Sequence, residues 1–207
     1  YMAVIVGAVM GVVYMLVDYG ILHLATGSRS ITEGYSLFWV LLWMSISYGF
    51  TNFAWIWLWF DQDKHLLEWS FTIVAWWFVC PHLSSILAGE QELITIQRTT
   101  SAYHGWMAAI WFVSYLALVI YNMRQKDKKQ KINIIKLFVI GIVVQFSWGM
   151  ALLLCGIRSV GFTAERKFLT LAVNSLLETN LGMPASFVLY ILITSRITSQ
   201  LKVRKPA

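Results

Sequence analysis

Asn174 to Tyr190 reads NSLLETNLGMPASFVLY and lies within the last long apolar run, Phe168 to Ile193. Glu178 falls about ten residues into that run, a depth of roughly 15 Å at 1.5 Å per residue, near the middle of a bilayer. An ionisable side chain at that depth costs a few kcal/mol, so it faces a bundle interior and has a partner or a task. Asn174 and Glu178 are four residues apart and share a helix face. Thr179 and Asn180 widen the polar patch, and Gly182 and Pro184 loosen the helix next to it. Pro184 lacks a backbone donor and frees the carbonyl of Asn180, which must be satisfied nearby. Two readings stand: a kinked helix glued by interhelical polar contacts, or a polar pocket centred on Glu178.

Working outward, the chain has 207 residues, 58% hydrophobic and only 13% charged. A soluble domain of this size carries nearly twice that share of charge. With several apolar runs of spanning length, the composition predicts an all-α polytopic membrane protein, a single bundle over residues 1–207. Six spans are expected: Ala3–Leu24, Tyr35–Phe60, Leu66–Ala88, Ser101–Met123, Ile132–Ile157 and Phe168–Ile193, or seven if an amino-terminal span is missing. The chain opens directly in an apolar helix, which reads as a signal-anchor or a trimmed first span. Short connections make successive spans antiparallel neighbours.

The net charge of +6 follows from topology and is no signal for nucleic acid. Eleven Lys and Arg fall on one side, most in the loop MRQKDKKQK and the tail, and five on the other: Arg29, Arg98, Arg158, Arg166 and Lys167. This bias predicts both termini to be cytoplasmic. The basic loop also suits anionic lipid headgroups. Cys80 and Cys155 lie inside apolar runs, without zinc-ligand spacing. No Gly-rich phosphate loop, nucleophile elbow or zincin helix is present, and no cofactor or metal is expected.

Several polar and aromatic residues share depths or faces. In the second span Ser45, Tyr48, Asn52 and Trp55 follow at helical spacing and form one stripe. Gln145 and Trp148 lie midway along the fifth span, so Asn52, Gln145 and Glu178 sit within a turn or two of a common depth. Asp18 and His23 stand near the outer end of the first span. Asp18, His82, Tyr103 and His104 share the outer half by depth, which allows a common vestibule; an interfacial position is the simpler alternative for each. The turn DQDKH offers Asp61, Asp63 and His65, which read as helix capping before a metal site.

A carboxyl group surrounded by Trp, Tyr and Phe is biased toward its protonated form by desolvation, and aromatic faces stabilise cations. Such a site suits protonation of an alkene or epoxide, then cyclisation or isomerisation of a lipid entering from the bilayer. Glu178 and Asp18 are the candidate acids. Tyr48, Asn52, Trp55, Trp76, His82, Tyr103, His104, Gln145, Trp148, Asn174 and Asn180 are the candidate substrate-binding residues. An Asp-rich magnesium motif for diphosphate ionisation is missing.

The run TNFAW, Thr51 to Trp55, resembles the Asn-x-x-Trp-Glu motif of the small integral-membrane terpene cyclases of fungal meroterpenoid and indole-diterpene pathways. That resemblance implies a compact helical bundle and cofactor-independent, acid-initiated cyclisation. It carries over Asn52 and Trp55 and gives Glu178 the role of the last-span acid. Ile56 stands where the motif has Glu. Two other classes fit the composition: a small-molecule or proton-coupled transporter hinged at Pro81 and Pro184, and a structural or assembly subunit whose aromatic spans dock a partner.

Overall fold

A computed structural model of the chain describes residues 1–90, 94–99, 101–127 and 131–203. Lys128, Lys129, Arg204 and Lys205 of the basic surplus lie outside them. Among the described residues seven α-helices follow in order: α1 Met2–Met15, α2 Leu37–Asp61, α3 Leu66–Ala88, α4 His104–Arg124, α5 Ile134–Leu154, α6 Ala164–Leu177 and α7 Met183–Val203. α1 runs on as a π-helix, Leu16–Ala25, so the first crossing spans Met2–Ala25. That crossing and α2 to α5 are each long and apolar enough to traverse a membrane. The fold is an all-α polytopic membrane bundle. Large apolar side chains such as Trp43, Leu87 and Phe112 stand exposed on its flanks, where acyl chains replace water as solvent.

Five of the six expected spans are present, shifted at their ends by a few residues. The sixth differs. Phe168–Ile193 is not one helix: α6 ends at Leu177 and α7 begins at Met183, with a turn at residues 178–182. The polar run Glu178-Thr179-Asn180 and then Gly182 end α6, and Pro184 sits in the first turn of α7, where its missing N–H costs nothing. The two helices continue past each other along α5, although neither is by itself among the five helices long and apolar enough to cross. Along α5, Gly149 faces Leu171, and Gly141 faces Asn180 and Met183, so the partners advance steadily past the break, antiparallel to α5. Irregular backbone at such depth is tolerated only where protein or a polar cavity satisfies it.

α1 and α2 pack backbone to backbone. Gly7 and Gly11 form a small-xxx-small pair on α1; Gly49 of α2 meets Gly11, and Phe50 and Ala54 meet Gly7. A Cβ built on Gly49 would lie 2.6 Å from the Gly11 Cα, and one on Gly7 2.7 Å from the Phe50 carbonyl oxygen. This proximity turns the opposite stripe of α2 inward. Ser45, Asn52 and Trp55 are all buried and Tyr48 is half-buried. The core beneath the site joins Phe53, Trp55, Ile56, Trp77, Val144 and Met183.

At one end of the bundle two short strands, β1 Arg29–Ile31 and β2 Ile96–Arg98, pair antiparallel. They tie the connection after the first crossing to that after α3. In the opposite turn, Gln62 takes a left-handed conformation, φ 50°, and the Asp63 carboxylate accepts the His65 backbone N–H at 2.8 Å. Asp63 thus braces the turn, while Asp61 Oδ2 accepts the Trp57 indole N–H at 3.0 Å; the expected capping of α3 is not made, since its N-cap is His65 and carries no side-chain cap bond. Pro81 lies inside α3, which remains unbroken from Leu66 to Ala88.

Candidate functional site

The site is built on the break between α6 and α7. Glu178 ends α6 with its N–H bonded to the Asn174 carbonyl at 2.9 Å. Beyond it the Gly182 N–H donates to the Thr179 carbonyl at 3.0 Å and Met183 N–H to the Asn180 carbonyl at 3.4 Å. These short-range bonds satisfy the freed backbone and leave three polar side chains to face their neighbours.

Gln145 of α5 is the hub. Its Nε2 donates to Glu178 Oε2. Its Oε1 accepts two hydroxyls, Tyr48 Oη and Thr179 Oγ1, each at 2.6 Å. Three chain segments therefore meet on one carboxamide: Gln145 and Glu178, expected at one depth, are in contact, and the α2 residue that joins them is Tyr48 rather than Asn52. Asn174, one turn before Glu178, is also buried.

Glu178 is not alone among aromatic rings, as its sequence setting suggests. Arg158 Nη2 donates to Glu178 Oε1 at 3.2 Å. Sequence reading assigns Arg158 to the outer loop by the charge bias. The turn after α5 redirects it: Gly156 at φ 70° and Ser159 at φ 60° are left-handed, and Arg158 between them points back over Gly149. A non-glycine residue in that region costs of order 1 kcal/mol and persists where surroundings impose it.

A row of rings runs beside this network. Tyr14 contacts Tyr48 edge-on with centroids 4.8 Å apart, Tyr48 meets Trp148 at 5.3 Å, Trp148 meets Trp77 at 5.2 Å, and Trp77 meets Trp55 at 5.7 Å. Two of the three indole N–H groups are occupied: Trp55 donates to Ser70 Oγ at 2.7 Å and Trp77 to Thr51 Oγ1 at 3.3 Å. Trp77 takes the place expected of Trp76, which is 55% exposed on the outer face. Adjacent Trp residues on a helix apolar all round give no sequence signal for which one faces in. Tyr14, Trp77 and Arg158 are the contributors that sequence reading missed, and Thr179, read there only as part of the polar patch, is a direct partner of Gln145.

One turn along lies a second layer. Tyr115 Oη donates to Asn180 Oδ1 at 3.0 Å. Asn52 is 0% exposed, and among the described residues neither its Oδ1 nor its Nδ2 has a partner; Asn180 Nδ2 is likewise unpaired. Buried amides without partners cost about 1–3 kcal/mol each.

Asp18 belongs to a different constellation. Its Oδ1 binds Arg29 Nε at 3.0 Å, and its Oδ2 binds Arg98 Nη2 at 2.7 Å and accepts Ser45 Oγ at 3.3 Å. Arg29 and Arg98 are cross-strand partners in the ribbon, and Asp18 neutralises that like-charge pair. Burial, with Arg98 alongside, lowers the Arg29 guanidinium from its ordinary range, while Asp18 pushes it back up. His82 is exposed, its Nδ1 2.7 Å from the Phe78 carbonyl oxygen of its own helix. His104 and Tyr103 are half-buried at the start of α4. None of these three contacts Asp18 through a polar bond among the described residues, where no three His, Cys, Asp or Glu side chains converge as metal ligands.

The arrangement offers a carboxylate with a cation and an amide on it, a phenol and a hydroxyl on the same amide, and ring faces alongside. Compared with models of known protein families, with curated proteins and with solved structures, the chain matches none.

Proposed function

We propose that this protein is an integral-membrane enzyme that isomerises or cyclises a hydrophobic substrate, terpenoid or other lipid, with Glu178 moving the proton. The single observation supporting this is the row of five rings from Tyr14 to Trp55 laid against the Glu178–Gln145–Tyr48 network. In the proposed reaction Glu178 takes up a proton as Arg158 lets go of it. The acid protonates a substrate alkene, and the new C–H bond leaves a carbocation stabilised by the ring faces. A second alkene of the same molecule attacks, and loss of a neighbouring proton to the Glu178 carboxylate restores the catalyst. Product and substrate are isomers, and no co-reactant is consumed. Kinship with the small membrane terpene cyclases is part of this reading. Ile56, buried in the core, leaves the acid role to Glu178. The charge bias supports cytoplasmic termini.

The test is Glu178→Gln, which keeps shape and hydrogen bonding and removes the acid. Lipid extracts of cells with and without the chain identify the product. Its disappearance in the variant is expected, and unchanged formation refutes the reading.

The break at residues 178–182 favours a second reading, a carrier, because discontinuous helices place polar groups at transport sites. A carrier requires access from both aqueous faces. Labelling of a cysteine at position 179 from both sides in turn favours transport; labelling from neither favours the enzyme.

A further inference from the structure

The two-stranded ribbon has little of its own to hold it shut. Each strand is three residues long, and an isolated pair of strands is marginal in water. Flanking ladder bonds run from the Thr32 N–H to the Thr95 carbonyl at 3.1 Å and from the Thr99 N–H to the Ser28 carbonyl at 3.2 Å. In that register Arg29 and Arg98 are a non-hydrogen-bonded pair, the kind in which facing side chains come closest. Two guanidinium groups so placed repel each other.

What closes the ribbon comes from the bundle. Asp18 holds Arg29 on one carboxylate oxygen and Arg98 on the other, and Ser45 of α2 donates to the second. Asp18 stands in the π-helical stretch Leu16–Ala25; π turns are ordinarily single and often mark functional positions. Of the three charged side chains only Arg98 is well exposed, 38% against 1% for Arg29 and 7% for Asp18. Beside them Ile31 and Ile96 of the ribbon pack on Met15, Leu37 and Leu41, and Leu41 and Ser45 are buried under this cover. Tyr14 and Tyr48, which begin the row of rings, lie about one turn further in on the same two crossings.

We propose that the ribbon is a lid over the Tyr14–Tyr48 end of the aromatic row, clasped shut by the single carboxylate of Asp18. In the open form Arg29 and Arg98 part from Asp18, the two isoleucines lift from Leu41, and the polar stripe of α2 is reached from the aqueous face on which the ribbon lies. The clasp is independent of proton transfer at Glu178: the same lid admits a substrate to an enzyme or a cargo to a carrier.

The test uses the full chain purified in an uncharged detergent, carrying Cys80→Ala, Cys155→Ala and Leu41→Cys. A water-soluble maleimide reports exposure at position 41, and hydrogen exchange at the Thr32 and Thr99 amides reports the ladder. Asp18→Asn is expected to speed both by about a hundredfold, because the closed form then buries an unpaired guanidinium. Adding Arg29→Gln removes that charge too and should return both rates to within about threefold of the parent. Ser30→Cys with Gln97→Cys, which face each other across the ribbon, should slow both rates below the parent once oxidised. Rates unchanged in a folded Asp18→Asn protein overturn the proposal, and so does a rise in one rate without the other. A rise that Arg29→Gln does not reverse is general loosening and refutes the clasp. If Asp18→Asn does not fold, the disulfide decides: rates that oxidation leaves unchanged refute the lid.

Discussion

Tyr48 and Gln145, 97 positions apart in sequence, are joined by a 2.6 Å hydrogen bond. That bond orients the Gln145 amide. With Oε1 accepting from Tyr48 and Thr179, Nε2 is left to donate, and the one acceptor it meets is Glu178. The carboxylate is therefore positioned by a residue that a proton-transfer step need not touch.

Gln145→Leu removes all three bonds and keeps the volume. Interhelical hydrogen bonds in membranes average about 0.6 kcal/mol each, so a loss of about 2 kcal/mol is expected. Chemical unfolding of the purified protein in detergent measures it. A change under 0.5 kcal/mol would mean that the network is not formed.

Asn52→Leu should act in the opposite sense. The Asn52 amide is fully buried and unpartnered, so replacing it with an apolar side chain of similar size is expected to stabilise the protein by about 1 kcal/mol. If the amide serves substrate, the same variant loses product formation, the usual trade between stability and function. A variant that is stabilised and fully active removes Asn52 from the site.

Asp18→Ala leaves Arg29, 3% exposed, without its counter-ion. Breaking a buried pair from one side costs about 3–5 kcal/mol. Arg98→Gln removes a partner whose side chain is 38% exposed, and a loss below about 1 kcal/mol is expected. Thermal unfolding of the two variants should rank them in that order; equal losses would show that Arg29 does not depend on Asp18.

Gly49→Ala separates α1 from α2, since its Cβ has nowhere to go against the Gly11 and Met10 backbone. Overpacking of this kind costs about 1–3 kcal/mol. Gly105→Ala on α4 meets nothing within 4 Å and is the control, expected to be neutral. A Gly49→Ala protein as stable as that control would contradict the close packing.

Much of the site could be read from spacing. Ser45, Tyr48, Asn52 and Trp55 occupy one face of α2 because helical geometry allows nothing else, and Gln145 and Glu178 meet because α5 and the α6–α7 segment run antiparallel and place them at one depth. Arg158 was not legible: two left-handed residues turn it inward, and only coordinates reveal a backbone reversal of that kind. Asp18 was misleading for a related reason. Its partners are 11 and 80 positions away, and a two-stranded ribbon of three residues each leaves no periodic trace. The choice of Trp77 over Trp76 follows from packing against Trp148 and Trp55, which no local pattern encodes.

The ribbon imposes an order on biogenesis. Residues 96–98 emerge from the ribosome only after α2 and α3 have been made, so Asp18 waits through two further insertions with one of its arginines still unsynthesised. The amino-terminal hairpin, zipped early through its glycines, reaches its final charge balance when the third connection arrives to close it.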